Sequence, residues 1–340
     1  MLRMYGAGLA LALLAFVAAP AEAGQTLDQI KSRGVVKCGV STGAPGLSFP
    51  DQQGHWLGFD VDFCRGLAAV VFGDKGKVEF IALSTQQRFT GLQTGDVDVL
   101  YHNTTWTLQR ETALGLNFAG VNYYDGQRIM VTAKSGIKSA KELSGATICV
   151  PPGSTTEQNL ADYFRLHNLE LKPLNIDGTD QIQAAFFGGR CDAYTTDGSQ
   201  LAGTRATKSG NPDDYVILPE VISKEPLGPA VRHGDEEWLQ IVRWALYATM
   251  EAEEKGITSK NIDDMLASKD PVVQRLLGLT PGNGKNLGLD EKWAYNEIKQ
   301  VGNYGEIFDR NLGKDSPMKL DRGLNALWTQ GGLIYAMPLR

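Results

Sequence analysis

Val97-Asp-Val-Leu-Tyr-His-Asn-Thr-Thr-Trp-Thr-Leu-Gln-Arg110 is an apolar run that stops abruptly in polar residues. Val97–His102 reads as a buried strand, and Asn103, Thr104 and Thr105 end it. Arg110 follows Thr107 by one helical turn. Strands of a parallel sheet that end in hydroxyls and a lone guanidinium end at a ligand. An arginine fork flanked by hydroxyl donors suits a planar carboxylate.

The same pattern occurs a second time. Gly95-Asp-Val-Asp98-Val-Leu-Tyr-His-Asn103 matches Gly189-Arg-Cys-Asp192-Ala-Tyr-Thr-Thr-Asp197, with a polar residue five positions after each aspartate. Upstream, Gly34-Val-Val-Lys-Cys38 matches Gly145-Ala-Thr-Ile-Cys149, with cysteine at the same offset. Agreement at two places in the same order reads as duplicated topology.

Each half alternates strand and helix. The first reads as strand Val35–Val40, helix Phe59–Val71, strand Val78–Leu83, helix Gln86–Gln93 and strand Val97–His102. The second reads as strand Thr147–Val150, helix Thr156–His167, extended Leu171–Ile176, helix Asp180–Phe187 and strand Cys191–Thr196. This predicts an α/β protein of two doubly wound, mostly parallel lobes. Two extended stretches, Tyr123–Val131 and Tyr215–Val231, join the halves. The second lobe is then inserted in the first, with a two-strand hinge. The expected divisions are 24–127 for the first part of lobe 1, 128–218 for lobe 2, and 219–340 for the completion of lobe 1 with a helical C-terminal extension. Trp238–Glu254 reads as a long amphipathic helix. The aromatic tail, about Leu287–Arg340, is expected to be helical and to pack on the first lobe.

Arg3, the apolar stretch Gly6–Ala19 and Ala21-Glu22-Ala23 form a signal-peptide pattern over residues 1–23, a retained anchor being the alternative. Export to the periplasm follows, without membrane insertion. The net charge of −6 and the lack of a basic cluster argue against nucleic acid as a partner. Four cysteines in an oxidising compartment imply two disulfides, with three pairings open. None forms a C-x-x-C pair, so neither a metal site nor a cofactor is expected.

Two further sites join Arg110. Gly153-Ser154-Thr155-Thr156-Glu157 reads as a capping box whose free amides also seat an anion. In Thr195-Thr196-Asp197, the aspartate takes the repeat position of Asn103. It would either attract an ammonium or cap the next turn. Together these groups read a zwitterion, its carboxylate at Arg110, Ser154 and Thr155 and its ammonium at Asp197.

The chain resembles the polar-amino-acid family of periplasmic solute-binding proteins of ABC transporters. The matching motifs are Gly58-Phe-Asp-Val-Asp62, Leu92-Gln-Thr-Gly-Asp-Val-Asp98, Thr107-Leu-Gln-Arg110, Asn117–Tyr124, Leu143-Ser-Gly145, Gly153–Glu157 and Gly189-Arg-Cys-Asp-Ala193. Asn117–Gly126, Glu220–Val231, Val301-Gly-Asn-Tyr-Gly305 and the long C-terminal extension make it most similar to the general L-amino-acid-binding subgroup. The resemblance implies a type II two-lobe fold. It implies α-carboxylate contacts at Arg110, Thr105, Ser154 and Thr155, an ammonium contact at Asp197 and a polar contact at Asn103. Ser41, Ala44, Thr85 and Gln86 are candidates for the side-chain pocket. The loop Ser41-Thr-Gly-Ala44-Pro45 lacks the acidic and aromatic residues of many relatives, which implies broad specificity.

Bridges across the lobes would obstruct the hinge, so the expected disulfides are Cys38–Cys64 and Cys149–Cys191. Each should stabilise by roughly 3–4 kcal/mol in the chain-entropy model. The expected function is capture of L-amino acids by a monomer and delivery to permease subunits, not catalysis. The alternative is a periplasmic dehydratase-like enzyme on the same fold acting on a carboxylated substrate. It would have to use His102, Glu157 or Asp197 as acid or base.

Overall fold

The computed structural model describes residues 25–340. The expected signal segment lies outside the described residues. The chain opens with α1 (Gln25–Arg33), β1 (Val36–Ser41), the short strands β2 (Phe49–Pro50) and β3 (Trp56–Leu57), and α2 (Phe59–Phe72). It continues through β4 (Val78–Leu83), α3 (Gln87–Thr94), β5 (Val99–Leu100), α4 (Leu108–Thr112) and β6 (Leu116–Phe118). β7 (Tyr123–Asp125) runs through Gly126 into β8 (Gln127–Thr132). Next come β9 (Thr147–Val150), α5 (Thr155–Leu166), β10 (Lys172–Asn175), α6 (Thr179–Phe187), β11 (Ala193–Asp197), α7 (Gly198–Lys208) and β12 (Tyr215–Ile217). β13 (Glu225–Leu227) and β14 (Ala230–Arg232) return the chain. The helices α8 (Glu236–Glu254), α9 (Ile262–Met265), α10 (Pro271–Leu276), α11 (Asn283–Asn286), α12 (Trp293–Val301) and α13 (Tyr304–Asn311) follow.

Two five-stranded sheets result, ordered β4-β1-β5-β14-β6 and β10-β9-β11-β8-β12. β1 is parallel to β4 and β5, and β9 to β10 and β11. Each sheet holds one reversed strand, β14 or β8, antiparallel to both its neighbours. Both reversed strands lie on the crossovers, because a chain that leaves one sheet enters the next running the other way. Between the sheets β7 and β13 pair antiparallel, Asp125 opposite Glu225, and form the hinge ribbon.

The repeated Gly-x-x-Asp has a local cause. Gly95 and Gly189, at φ 84° and 74°, take the left-handed conformation just after α3 and α6. The aspartates then close the sheet ends. Asp98 N–H donates to Lys37 O (2.9 Å) and its Oδ2 accepts from Lys37 N–H (2.7 Å). Asp192 does the same with Thr147, at 2.8 Å each way.

This register corrects the equivalence of the cysteines. Lys37 corresponds to Thr147, so Cys38 corresponds to Ile148, and Cys149 is one residue further on. A one-residue offset turns a side chain to the other face of a sheet. The disulfides are Cys38–Cys64, tying β1 to α2, and Cys149–Cys191, tying β9 to the turn before β11.

Other differences are small. The strand expected over Val97–His102 is regular only at Val99–Leu100, although Tyr101 N–H still reaches Gly39 O (3.0 Å). The tail is α-helical to Asn311; beyond it only the 3-10 turns Gly323–Asn325 and Trp328–Gln330 are regular, since Gly313, Pro317, Gly331, Gly332 and Pro338 interrupt a longer helix. Trp293, Tyr304 and Phe308 join the first core, whereas Trp328 and Tyr335 are about half exposed. Among the described residues no helix is long and apolar enough to cross a membrane.

Candidate functional site

Both polar strand ends point into the cleft between the lobes. After β5, Asn103 sits at φ 38°, a conformation that asparagine tolerates better than most residues. Buried Asp60 at the start of α2 holds it there, Oδ2 accepting Asn103 N–H at 3.0 Å. Burial pushes Asp60 up to about 7, against two hydrogen bonds that lower it. From this turn the Asn103 side-chain amide crosses the cleft, donating to Asp197 Oδ2 (2.9 Å) and Gln200 Oε1 (3.2 Å).

Asp197 stands at the N-cap position of α7 but makes no cap hydrogen bond. Asp125 of the hinge ribbon caps that helix instead, through Ser199 N–H (3.1 Å). Asp197 thus faces the cleft. Its carboxyl lies well above the usual range, chiefly through burial, then through Asp125 and Glu225; the Asn103 bond and Arg88 oppose this.

Arg110 is buried and, unlike Arg88, is not among the residues that line the cleft cavity. Its Nη1 donates to Thr105 O (2.7 Å), and its guanidinium lies 4.9 Å from the Phe89 ring centre. Burial lowers it to about 10, while Glu225 and Asp197 hold it up, so it stays charged at neutral pH. A second guanidinium, Arg88, lies 4.7 Å from the same ring. The arginine is therefore not alone. Arg88 lines the cleft, donates to His102 O (3.2 Å), and leaves a buried Nε without a partner. Its affinity for protons is depressed by burial first, then by Arg110.

His102 Nε2–H donates to Leu83 O (2.8 Å), which turns its Nδ1 toward Arg88 (3.4 Å). Burial and Arg88 hold His102 down at about 4, so it is neutral and orients Arg88.

The N-terminus of α5 forms the facing wall. Ser154 Oγ accepts from Glu157 N–H (3.1 Å) and donates to Pro151 O (2.6 Å). The expected capping box is only half present, because Glu157 reaches Gly153 N–H (2.8 Å) rather than the Ser154 amide. The Thr105 and Thr155 hydroxyls lie 3.4 Å apart across the cleft, and both donate to buried Glu225 of β13.

The structure brings Thr85, Asn103, Thr105, Ser154, Thr155 and Asp197 together around a cavity of about 30 Å³, with Arg88, Thr179, Tyr194 and Gln200. Ser41 touches that wall through Thr179, 3.3 Å away. Gln86 is exposed at the start of α3, and Ala44 is packed in the first core at a turn closed by Ser48; neither lines the cavity. Sequence reasoning missed Arg88, Asp60 and Glu225. Arg88 precedes Gly91 and Leu92 by three and four residues, which puts a charge on the buried face of α3. Asp60 lay within a recognised motif. Glu225 likewise lay within the recognised segment Glu220–Val231, but nothing in that segment marked it as a buried carboxyl. Among the described residues no His, Cys, Asp or Glu cluster could hold a metal ion.

Two α/β lobes, a two-strand hinge and polar strand ends facing across a cleft define a hinged solute-binding architecture. The chain belongs to the bacterial extracellular solute-binding proteins, family 3, whose model matches residues 36–262. It is 53% identical over 340 residues to the general L-amino acid-binding periplasmic protein AapJ of Rhizobium johnstonii, covering 99% of both chains. It is 52% identical to the glutamate/glutamine/aspartate/asparagine-binding protein BztA of Rhodobacter capsulatus, over 97% of both. A solved periplasmic binding protein of an ABC transporter from Brucella ovis, with glutathione bound, superposes with a TM-score of 0.90. It is 53% identical and covers 93% of this chain and 99% of its own. These relatives are binding proteins rather than enzymes.

Proposed function

We propose that the protein captures L-amino acids in the periplasm as a monomer and delivers them to the permease subunits of an ABC transporter. The observation that carries this reading is the division of charge: Arg88 and Arg110 come from the first lobe, Asp197 from the second, and threonine hydroxyls lie between. In this reading Arg110, Thr105, Ser154 and Thr155 take the α-carboxylate. Asp197 and Asn103 take the α-ammonium. Thr85, Arg88 and Ser41 face the side chain, and Arg88 favours a side chain bearing an acid or amide. The lobes, divided near 127 and 218, close as bodies about the β7–β13 ribbon.

Calorimetry with a panel of L-amino acids tests it. Binding at micromolar or tighter affinity without turnover is expected, acidic and amide side chains among the ligands. Product formed from a bound substrate would overturn it in favour of the enzyme.

A further inference from the structure

The C-terminal extension lies beyond residue 262, where the family match ends. It packs on the hinge strand through Phe308, whose ring is stacked 6.3 Å from that of Tyr123, and hydrogen-bonds that strand through Asn325. In an antiparallel ribbon, successive residues direct their N–H and C=O to opposite edges. Those of Tyr124, in the middle of β7, point away from β13. Asn325 meets both: its Oδ1 accepts Tyr124 N–H (2.7 Å) and its Nδ2 donates to Tyr124 O (3.1 Å). A carboxamide presents an acceptor oxygen and a donor NH2 side by side, as a strand residue presents its C=O and N–H. Asn325 is itself 3% exposed.

Asn325 is anchored to the first lobe. Arg322 Nε donates to Asn325 O (2.9 Å). The Arg322 fork binds Glu253 of α8 at 2.9 and 3.0 Å, and lies over the Tyr304 and Phe308 rings. The other edge of the ribbon is also held, since Trp106 N–H donates to Pro226 O (2.8 Å) and Gly228 N–H to Thr104 O (3.0 Å). The ribbon is thus bonded on one side to the strand end that carries the site and on the other to the extension.

We infer that Asn325 is an affinity-determining positioning residue: through Tyr124 the extension makes β7 a rigid part of the first lobe and confines hinge bending to Gly126 and the 218–224 segment. Fewer open arrangements then compete with the closed one, so ligand is held longer. The inference rests on the proposed capture function, but its scattering arm does not.

The test uses the full chain and Asn325→Ala, with Arg322→Lys as a second variant that keeps the charge at Glu253 but drops the bond to Asn325 O. Stopped-flow fluorescence measures dissociation of L-glutamate and L-glutamine. Small-angle scattering measures the ligand-free radius of gyration, and thermal melting reports folding. Asn325→Ala should raise the dissociation rate roughly tenfold, the equivalent of one or two lost hydrogen bonds, and enlarge the ligand-free protein. Arg322→Lys should do so less. A lower melting temperature with unchanged dissociation rate and radius would overturn the brace. Wild-type protein that binds neither probe would sink the capture reading, and an unchanged ligand-free radius in both variants would then still overturn the brace.

Discussion

In the first lobe the strand end at Asn103 leaves the sheet through a left-handed turn and reaches Arg110 only on a separate short helix. In the second, β11 runs directly into α7, and Asp197 stands at the junction. The two ends share spacing and ladder closure, yet one supplies a guanidinium set back in the wall and the other a carboxyl facing the cleft. The difference teaches how a duplicated topology acquires a polar ligand axis. The sheets keep the two ends facing each other, and the local exit of the chain decides which charge each presents.

Removing the cation should break that axis most completely. Arg110→Ala strands Glu225 and Asp197 without it and should weaken every amino acid by about 3 kcal/mol or more, beyond a hundredfold. Loss confined to some side chains in calorimetry would mean that Arg110 reads the side chain. On the opposite lobe, Asp197→Asn should cost amino acids about 2 kcal/mol, roughly thirtyfold, and des-amino analogues much less. Equal losses for both would refute its ammonium role.

Contact between the lobes can be disturbed without touching either charge. A Cβ at Gly203 in α7 would lie 2.1 Å from Pro45 O across the cleft, although α7 by itself accepts alanine. Gly203→Ala should therefore oppose closure and weaken binding roughly tenfold, within the range of overpacking penalties. Its melting temperature without ligand should not fall; a fall with unchanged affinity would place the fault in folding.

The smallest effect on capture is expected at Asp60. Its folded-state value of about 7 exceeds that of an unfolded aspartate, so the unfolded chain ionises first as pH rises. Stability is therefore lost between about pH 4 and pH 7. Asp60→Asn should flatten that slope and add about 1–2 kcal/mol at pH 8, as read from urea unfolding at several pH values. A slope unchanged by the substitution would remove Asp60 as its cause.

Much of the fold was legible because its causes are local. Val78–Leu83 and Thr147–Val150 occupy the predicted residues, since short β-branched runs bounded by glycine or polar turns leave little choice. The disulfide pairs were legible from lobe membership. The cysteine faces were not, because strand register depends on which backbone groups bond, and Asp98 and Asp192 set that register across 61 and 45 residues. At the site, repeat spacing brought out Asn103 and Asp197, which meet at 2.9 Å. Arg88 and Glu225 escaped, since a charge amid ordinary helix or strand residues carries no mark of burial until its neighbours are placed.

The sequence by itself determined the order of strands and helices, the two-lobed division of polar strand ends and the groups available to a zwitterion. These follow from periodicity, turn residues and spacing, which act over a few residues. Only the tertiary structure decided that Asp125 relieves Asp197 of capping, that Glu225 gathers hydroxyls from both lobes, and that Asn325 completes the hinge ribbon from 201 residues away. Hydrogen bonds between distant segments depend on packing that no local pattern encodes.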